Sequence, residues 1–557
     1  MSPKPRPLAL HPKQSSRRSF LTLTALTAAG VPVVAGCRLS RAGSGGGGGA
    51  GSSGAASPAP DGWQDLDGHL LGHRVSVRVS PLVRVSEEAT ALVLELTRAA
   101  DDAAVADVQS SESGSDDSDN TVYASTSLGR PLPARGASGV RLIDTAGAGR
   151  VWTAGSASGG TLELKPGETV SSTVVFTPVD LDEVTVLVPQ TGFVRVRVID
   201  RDAAADVGVS SEALGKADKI IQDNSGPGDK AAVVPLERYT RALDDSTGTR
   251  TTDKDVTVTL ASDVTFDSDS YNLTAAADAQ LQTVADQIAQ YPDGGNLDIV
   301  GHTDDVADNA HNQTLSENRA GTVKDRLGQL AALTKWQITT TGKGETEPAI
   351  NDTTDEARAA NRRVVITITP TSGTTSSAPP PSATSTPDNN LPEAQGPVGT
   401  GPDGVTVPGP DGKGQITITL DHVTRNGGLL TAQLTITTGP GGTDDATLTT
   451  WLKDPAQAFA SSRGENGGAS AGGIANGLTL LADGQRLYPT DYLPPSAEAH
   501  WPLTDLKLVD SLKKDATTTI CVAWPDTGQD TLTLDHQGNM NTTNYAFRLT
   551  NIPTTTA

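Results

Sequence analysis

The chain has 557 residues, of which 20% are charged and 3% aromatic, with 58 glycines and 35 prolines; this fits three or four β-rich modules on flexible linkers better than one large enzyme core. Its 43 basic and 66 acidic residues leave a net charge of −23. That excludes nucleic acid as a partner, since no basic stripe exists to replace phosphate counterions, and it suits solubility outside the cell.

Residues 1–37 read as an address rather than as fold. A basic start leads into Ser16-Arg17-Arg18-Ser19-Phe20-Leu21, which resembles a twin-arginine export signal. The apolar run Leu21 to Ala35 is too short to span a bilayer, which needs about 20 residues. It ends in Val34-Ala35-Gly36-Cys37, which resembles a lipobox. The resemblance implies that the Cys37 thiol is diacylated, and two acyl chains give stable anchoring where one is marginal. The other cysteine, Cys521, is then left without a partner and reads as a small buried strand residue. Residues 38–61 form a Gly/Ser-rich spacer with nothing to bury.

Over residues 62–205, alternating segments such as Arg74–Val79, Ala91–Leu96, Val184–Val188 and Phe193–Ile199 give about seven short strands with regular turns. They predict an antiparallel β-sandwich whose strand order resembles immunoglobulin-like or telokin-like domains of exported bacterial lipoproteins. The acidic, Ser-rich run within 101–120 lacks the fixed spacing of a calcium loop and reads as solvated loop. Residues 206–255 read as a loose polar connector with a short helix at Ala213 to Gln222.

From 256 to 370 the pattern changes to βαβαβ with a closing strand, an α/β sandwich. Val256–Leu260 alternates, and Val264-Thr265-Phe266-Asp267 reads as the end of a strand. Thr274 is placed to cap a helix running to about Gln290. Leu297–Val300 feeds the loop Gly301-His302-Thr303-Asp304, and a second helix is expected from about Leu315 to Leu330, with Leu315, Val323, Leu327 and Leu330 inward. Trp336–Gly342, a short helix Asp355 to Asn361 and the strand Arg363–Thr369 follow. Residues 371–411, rich in Ser, Thr, Pro and Gly, read as a semi-extended tether. Residues 412–557 repeat the grammar of the first module, with Gln415–Leu420 parallel to Arg74–Val79 and Thr518–Pro525 parallel to Ser172–Pro178. A second β-sandwich and an internal duplication are expected. The fold class is thus multidomain α+β, a central α/β sandwich flanked in sequence by two all-β sandwiches. Tyr488, Tyr492, Trp501 and Trp524 in this last segment read as core before they read as a sugar-binding face.

The central segment carries Phe266-Asp267, Gly301-His302-Thr303-Asp304, Asn312, Leu315-Ser316-Glu317-Asn318-Arg319-Ala320, Gly342-Lys343-Gly344 and Arg358-Ala359-Ala360-Asn361-Arg362-Arg363. In these segments it resembles the OmpA-like peptidoglycan-binding domain. The resemblance implies that Asp304 takes the ammonium of the diaminopimelate side chain in the wall peptide and that Arg319 takes its carboxylate. Asn312 and the backbone near Thr303 and Leu315 would complete the pocket, with Asp267 and Arg362 lining or bracing it. Asp305 and Asp308 make the loop more acidic than the family's. Read from the residues alone, Asp304 and Arg319 are a surface ion pair worth about 0–1 kcal/mol before they are a ligand site. His302, Asp304, Asp308 and His311 lack the tight spacing of a metal site, so no metal or cofactor is expected.

Two functional classes stand at this point. One is a non-catalytic lipoprotein that grips peptidoglycan and links membrane to wall, lying at the outer face of the cell membrane, or in the outer membrane of a diderm source. The other is an envelope enzyme, for which no Ser-His-Asp or Cys-His constellation is present. An envelope protein is a further expected partner for the β-sandwiches.

Overall fold

The computed structural model describes residues 59–108, 120–129, 136–145, 149–223, 231–374, 391–408, 415–439, 448, 451–453, 475–482, 484–495, 497, 499–505, 512–538 and 546–557. The export signal, Cys37, the spacer and most of the acidic run after Asp101 lie outside these residues. The chain is mixed α/β, with many strands and few helices. Among the described residues no helix is long and apolar enough to cross a membrane.

The two β modules share one strand order. In the first, the order is Gln64–Leu70, His73–Val79, Ala89–Arg98, Leu82–Ser86, Gly192–Asp200, Glu183–Val188, Arg141–Ile143 and Arg150–Thr153. In the second it is Val405–Pro408, Gln415–Thr419, Leu429–Thr438, Val423–Asn426, Phe547–Thr556, Thr531–His536, Thr479–Ala482 and Gln485–Leu487. Both have a parallel pair at the same point, Gly192–Asp200 beside Leu82–Ser86 and Phe547–Thr556 beside Val423–Asn426, and the second adds Val398–Thr400 parallel to Phe547–Thr556. Off the path, Thr169–Phe176 pairs with Ala89–Arg98 just as Thr517–Pro525 pairs with Leu429–Thr438. The duplication expected from sequence is therefore present strand by strand. Part of the expected tether belongs to the second copy, because 398–400 and 405–408 are strands. Val405 and Val407 face its core, which stabilises them as a strand although Pro and Gly surround them.

The two copies pack on each other. Ile143, Val151 and Leu187 of the first share a buried cluster with Leu429, Tyr492, Leu503, Cys521 and Ala523 of the second. Across this contact the buried Arg141 donates to the Thr504 carbonyl at 2.7 Å and the Pro502 carbonyl at 3.2 Å. The Asp505 carboxylate accepts from the backbone N–H groups of Gln190 (2.7 Å) and Cys521 (3.0 Å). Tyr488, Tyr492 and Trp524 are buried and Trp501 half-buried, so these aromatics are core, as is Cys521.

The helix expected in the connector is present, while its far part, read as loose, forms strands. Helix Ser211–Asp223 lays Ala213, Leu214 and Ala217 on Val83, Ala91 and Val175. Ala232–Pro235 then adds a strand to Arg150–Thr153 of the first copy. Two residues later the central module begins, and its elements are β1 (Arg238–Ala242), β2 (Thr247–Thr251), β3 (Val256–Ala261), α1 (Ser262–Thr265), α2 (Ala277–Ala289), β4 (Gly295–Gly301), α3 (Asn309–Leu330), β5 (Trp336–Gly342), α4 (Asp355–Asn361) and β6 (Arg363–Pro370). β1 and β2 are polar and escape a hydrophobic-pattern reading. They are strands because the ladder on both sides satisfies their backbone.

The central sheet runs β5-β4-β6-β3-β2-β1, with β4 and β5 parallel and the other pairs antiparallel. It continues without an edge into Gln485–Leu487 of the second copy, Thr240 opposite Leu487. α2 and α3 cover one face, burying Leu281, Val284, Ile288, Ala320, Val323 and Leu327 against Val258, Leu297, Ile299 and Ile366. Thr274, expected to cap α2, lies three residues ahead of it; the N-cap is Ala276, and the Thr274 hydroxyl accepts from the Ala277 N–H at 3.2 Å. Two other details differ from the sequence reading. Val264 and Thr265 form the single turn α1 rather than a strand end, held by the Thr265 hydroxyl on the Ala261 carbonyl (2.8 Å) and on Gln280 (2.9 Å). α3 starts six residues early, because the Asp308 carboxylate caps it by accepting from the His311 N–H at 3.0 Å.

Candidate functional site

The early start of α3 explains the site. Its inward stripe is Asn312, Ser316, Arg319, Ala320, Val323 and Leu327, polar in the first half and apolar in the second. Leu315, expected inward, is half-buried and outside the apolar cluster. The polar half passes the carboxyl ends of β4 and β5, where Gly301 and Gly342 stand opposite each other. A Cβ on Gly301 would lie 2.1 Å from the Ser316 carbonyl, and one on Gly342 2.5 Å from the Ser316 hydroxyl. Only glycine lets the helix come this close.

The loop after β4 is stitched to α3 and α4. Asn312 is buried and its amide donates to the Asp304 and Ala307 carbonyls, both at 3.2 Å, and to Glu345 at 2.7 Å. Asn312 thus fixes the loop's path. The Thr303 N–H donates to the Gly344 carbonyl at 2.9 Å, and the Ser316 hydroxyl accepts from the Gly344 N–H at 2.9 Å. Arg358 on α4 holds Asp305 at 2.7 Å. His302 is buried, and burial beside the Arg363 guanidinium depresses its imidazole to about 4.

Arg362 is the hub. It grips Asp263 through Nε and Nη2 at 2.7 and 2.6 Å and reaches Asp304 through Nη1 at 2.7 Å. These bonds raise its proton affinity further, the Asp263 bond being the largest cause. Asp304 therefore pairs with Arg362 and not with Arg319. Its other oxygen meets only the Val306 N–H, at 3.3 Å, which leaves acceptor capacity toward the pocket.

Arg319 is 4% exposed. Its Nε donates to the Ser270 carbonyl at 2.9 Å, and its guanidinium lies 5.1 Å over the Phe266 ring. Among the described residues no carboxylate lies within 4 Å of it. Burial lowers its proton affinity, offset in part by the fields of Asp263, Asp269 and Asp304. Such a buried guanidinium keeps fork donors that no side chain among the described residues takes up.

Of the residues expected at the site, Asp304, Asn312, Thr303, Arg319 and Arg362 are gathered here. Asp267 is exposed, and the carboxylates whose fields reach Arg319 are Asp263, Asp269 and Asp304. Asp263 and the Ser270 carbonyl were missed. Asp263 could have been found from the β3–β6 register, which sets Ala261 opposite Arg363 and so brings α1 beside Arg362.

Fold and site together define a small α/β module that gathers a guanidinium and a carboxylate where the loop after β4 meets α3. Residues 265–362 match the model of the OmpA family. YfiB of Escherichia coli (strain K12) is 31% identical over 110 residues, which are 20% of this chain and 68% of that protein. The chain belongs to the OmpA family through this module. Outer membrane porin F of Pseudomonas aeruginosa is 38% identical over 102 residues, 18% of this chain and 29% of the porin, so the chain spans under a third of that relative. Among solved structures, the cell wall anchor of the T6SS from Pseudomonas aeruginosa is 30% identical, covering 21% of this chain and 82% of that one, with a TM-score of 0.19.

Proposed function

We propose that this is a non-catalytic cell-envelope protein that holds peptidoglycan noncovalently through the diaminopimelate of the stem peptide. Arg319 receives the side-chain carboxylate bidentately, and the free oxygen of Asp304 receives the ammonium. Arg362 is a positioning residue that orients Asp304. The observation that carries the reading is Arg319 itself, buried yet without an ion pair among the described residues. A charge held this way costs stability unless a ligand repays it.

Lipidation at Cys37 tethers the chain to the membrane, and the duplicated modules, read as immunoglobulin-like β-sandwiches, space the pocket from the lipid and offer surface to an envelope protein. A wall cross-linked through lysine lacks the second carboxylate and leaves Arg319 unpaired. It is expected to bind at least about tenfold more weakly, a loss of about 1.4 kcal/mol or more. The test is co-sedimentation of the whole chain with purified diaminopimelate-type and lysine-type walls, beside Asp304→Asn and Arg319→Lys. Pelleting with the first wall only, lost in both variants, supports the reading. Equal pelleting with both walls, or with neither, overturns it.

A further inference from the structure

The sharpest unassigned cluster lies away from the pocket, where the connector joins the two copies. Only Leu236 and Glu237 separate the strand that completes the first copy from β1, which pairs with the second. Glu237 forms a backbone bridge with Asp491, N–H to carbonyl at 2.7 and 2.9 Å. Asp491 in turn stands opposite Pro502, and Tyr492 opposite Trp501, which brings His500 back over the pair. One ligand atom from each of Glu237, Asp491 and His500 lies within 4.8 Å of the others. The His500 Nε2 is 3.1 Å from Glu237 Oε1.

The side chains are secluded: Asp491 is fully buried, and those of Glu237 and His500 are 14% and 7% exposed. Leu236, Tyr492, Trp501 and Leu503 form an apolar cluster around the same junction. Two carboxylates brought together at such a site call for positive charge. Arg250 supplies part of it at 3.8 Å from Glu237, but the same guanidinium lies 3.9 Å from Asp255. Arg250 is thus shared between Glu237 and Asp255. An imidazole facing the pair makes this a mixed nitrogen–oxygen donor set, with Glu237 and Asp491 pinned by backbone pairing and His500 beside the paired Trp501. Calcium prefers six to eight oxygens, whereas one histidine and two carboxylates suit zinc or manganese.

We propose that Glu237, Asp491 and His500 bind one divalent transition-metal ion of the zinc class, water completing its coordination, and that this ion staples the connector to the second copy. The role is structural and independent of the wall-binding reading. The test loads the whole chain, first stripped with EDTA, with zinc chloride or manganese chloride, removes loose ions on a desalting column, and counts bound metal by mass spectrometry. Wild type is expected to retain about one ion more per chain than His500→Ala. Its thermal midpoint is expected to rise on loading while that of the variant does not move, and both should pellet with wall equally. Glu237→Gln, checked for fold by circular dichroism, is expected to weaken the ion at least tenfold. Equal retention by wild type and both variants overturns the proposal. So does no retention by wild type, in which case His500 is simply the imidazolium partner of Glu237.

Discussion

Replacing Arg319 by methionine separates binding from folding. The side chain is similar in length and apolar, so the space beside Phe266 stays filled. What is lost is a charge-assisted hydrogen bond to the Ser270 carbonyl, worth about 1.5–3 kcal/mol, and a ring contact worth about 0.5–2 kcal/mol. What is regained is the desolvation cost of a buried cation without an ion pair, several kcal/mol in an effective protein medium. The two sides nearly cancel, so the expected change in stability is within about 1 kcal/mol, a few degrees or less in thermal midpoint. Binding falls far more, because a bidentate carboxylate contact of about 3 kcal/mol disappears, about a hundredfold in affinity. Calorimetric melts of the whole chain beside sedimentation isotherms on diaminopimelate-type wall measure both. A drop of more than about 10 °C, or unchanged sedimentation, refutes the reasoning: the first would make Arg319 a brace of the fold, and the second would place the ligand elsewhere.

Arg362→Ala is expected to cost about 1–2 kcal/mol of stability by leaving Asp263 and Asp304 side by side, and to lose wall binding although neither pocket charge is removed. Partial rescue of binding by Arg362→Lys, measured by the same sedimentation, identifies positioning. Acid should weaken the site through His302: its folded value of about 4 lies below the ordinary 6.5, so its contribution is present above pH 6.5 and lost as pH falls toward 4. His302→Gln should flatten that limb in urea melts taken at stepped pH. Asp505 works in the opposite sense. Burial pushes its carboxyl up to about 7 against two backbone N–H donors and Arg141, so its contribution is complete below pH 3.8 and lost as pH rises through 7. Asp505→Asn should be less stable overall, since its NH2 faces an N–H, yet free of that decline.

The central module was legible because its signals are local. Trp336–Gly342 and Asp355–Asn361 carry the observed bounds, since periodicity and caps lie within each segment. The start of α3 was misread because Asn312, Ser316 and Arg319 are polar residues on its buried face, and so break the apolar stripe that marks a helix. Asp304, Asn312, Arg319 and Arg362 were singled out through the family resemblance, and the fold brings them near one another. Their actual pairing was not, because which carboxylate meets which guanidinium depends on the β3–β6 register. The strands β1 and β2 were invisible for a related reason. Thr247-Gly248-Thr249-Arg250-Thr251 has no apolar face, and its partners lie in other segments.

That non-local pairing changes what the protein is mechanically. Two all-β modules of one design each leave a strand edge open, at Arg150–Thr153 and at Gln485–Leu487. An exposed edge is a template for pairing with another chain. Here one stretch of chain closes both, Ala232–Pro235 on the first and β1 on the second. Because β1 also pairs with β2, closing the second edge fuses the central sheet to that module through a continuous hydrogen-bond ladder. The pocket at the end of β4 therefore cannot swing on a tether relative to the second copy. If Arg319 and Asp304 hold the wall as proposed, a pull on them is expected to pass across β4, β6, β3 and β2 as shear between hydrogen-bonded strands. The residues that join the central sheet to the second copy are Thr240, Arg241 and Ala242, a few residues along the strand from Glu237, so the junction that seals the edges is where such a load would cross.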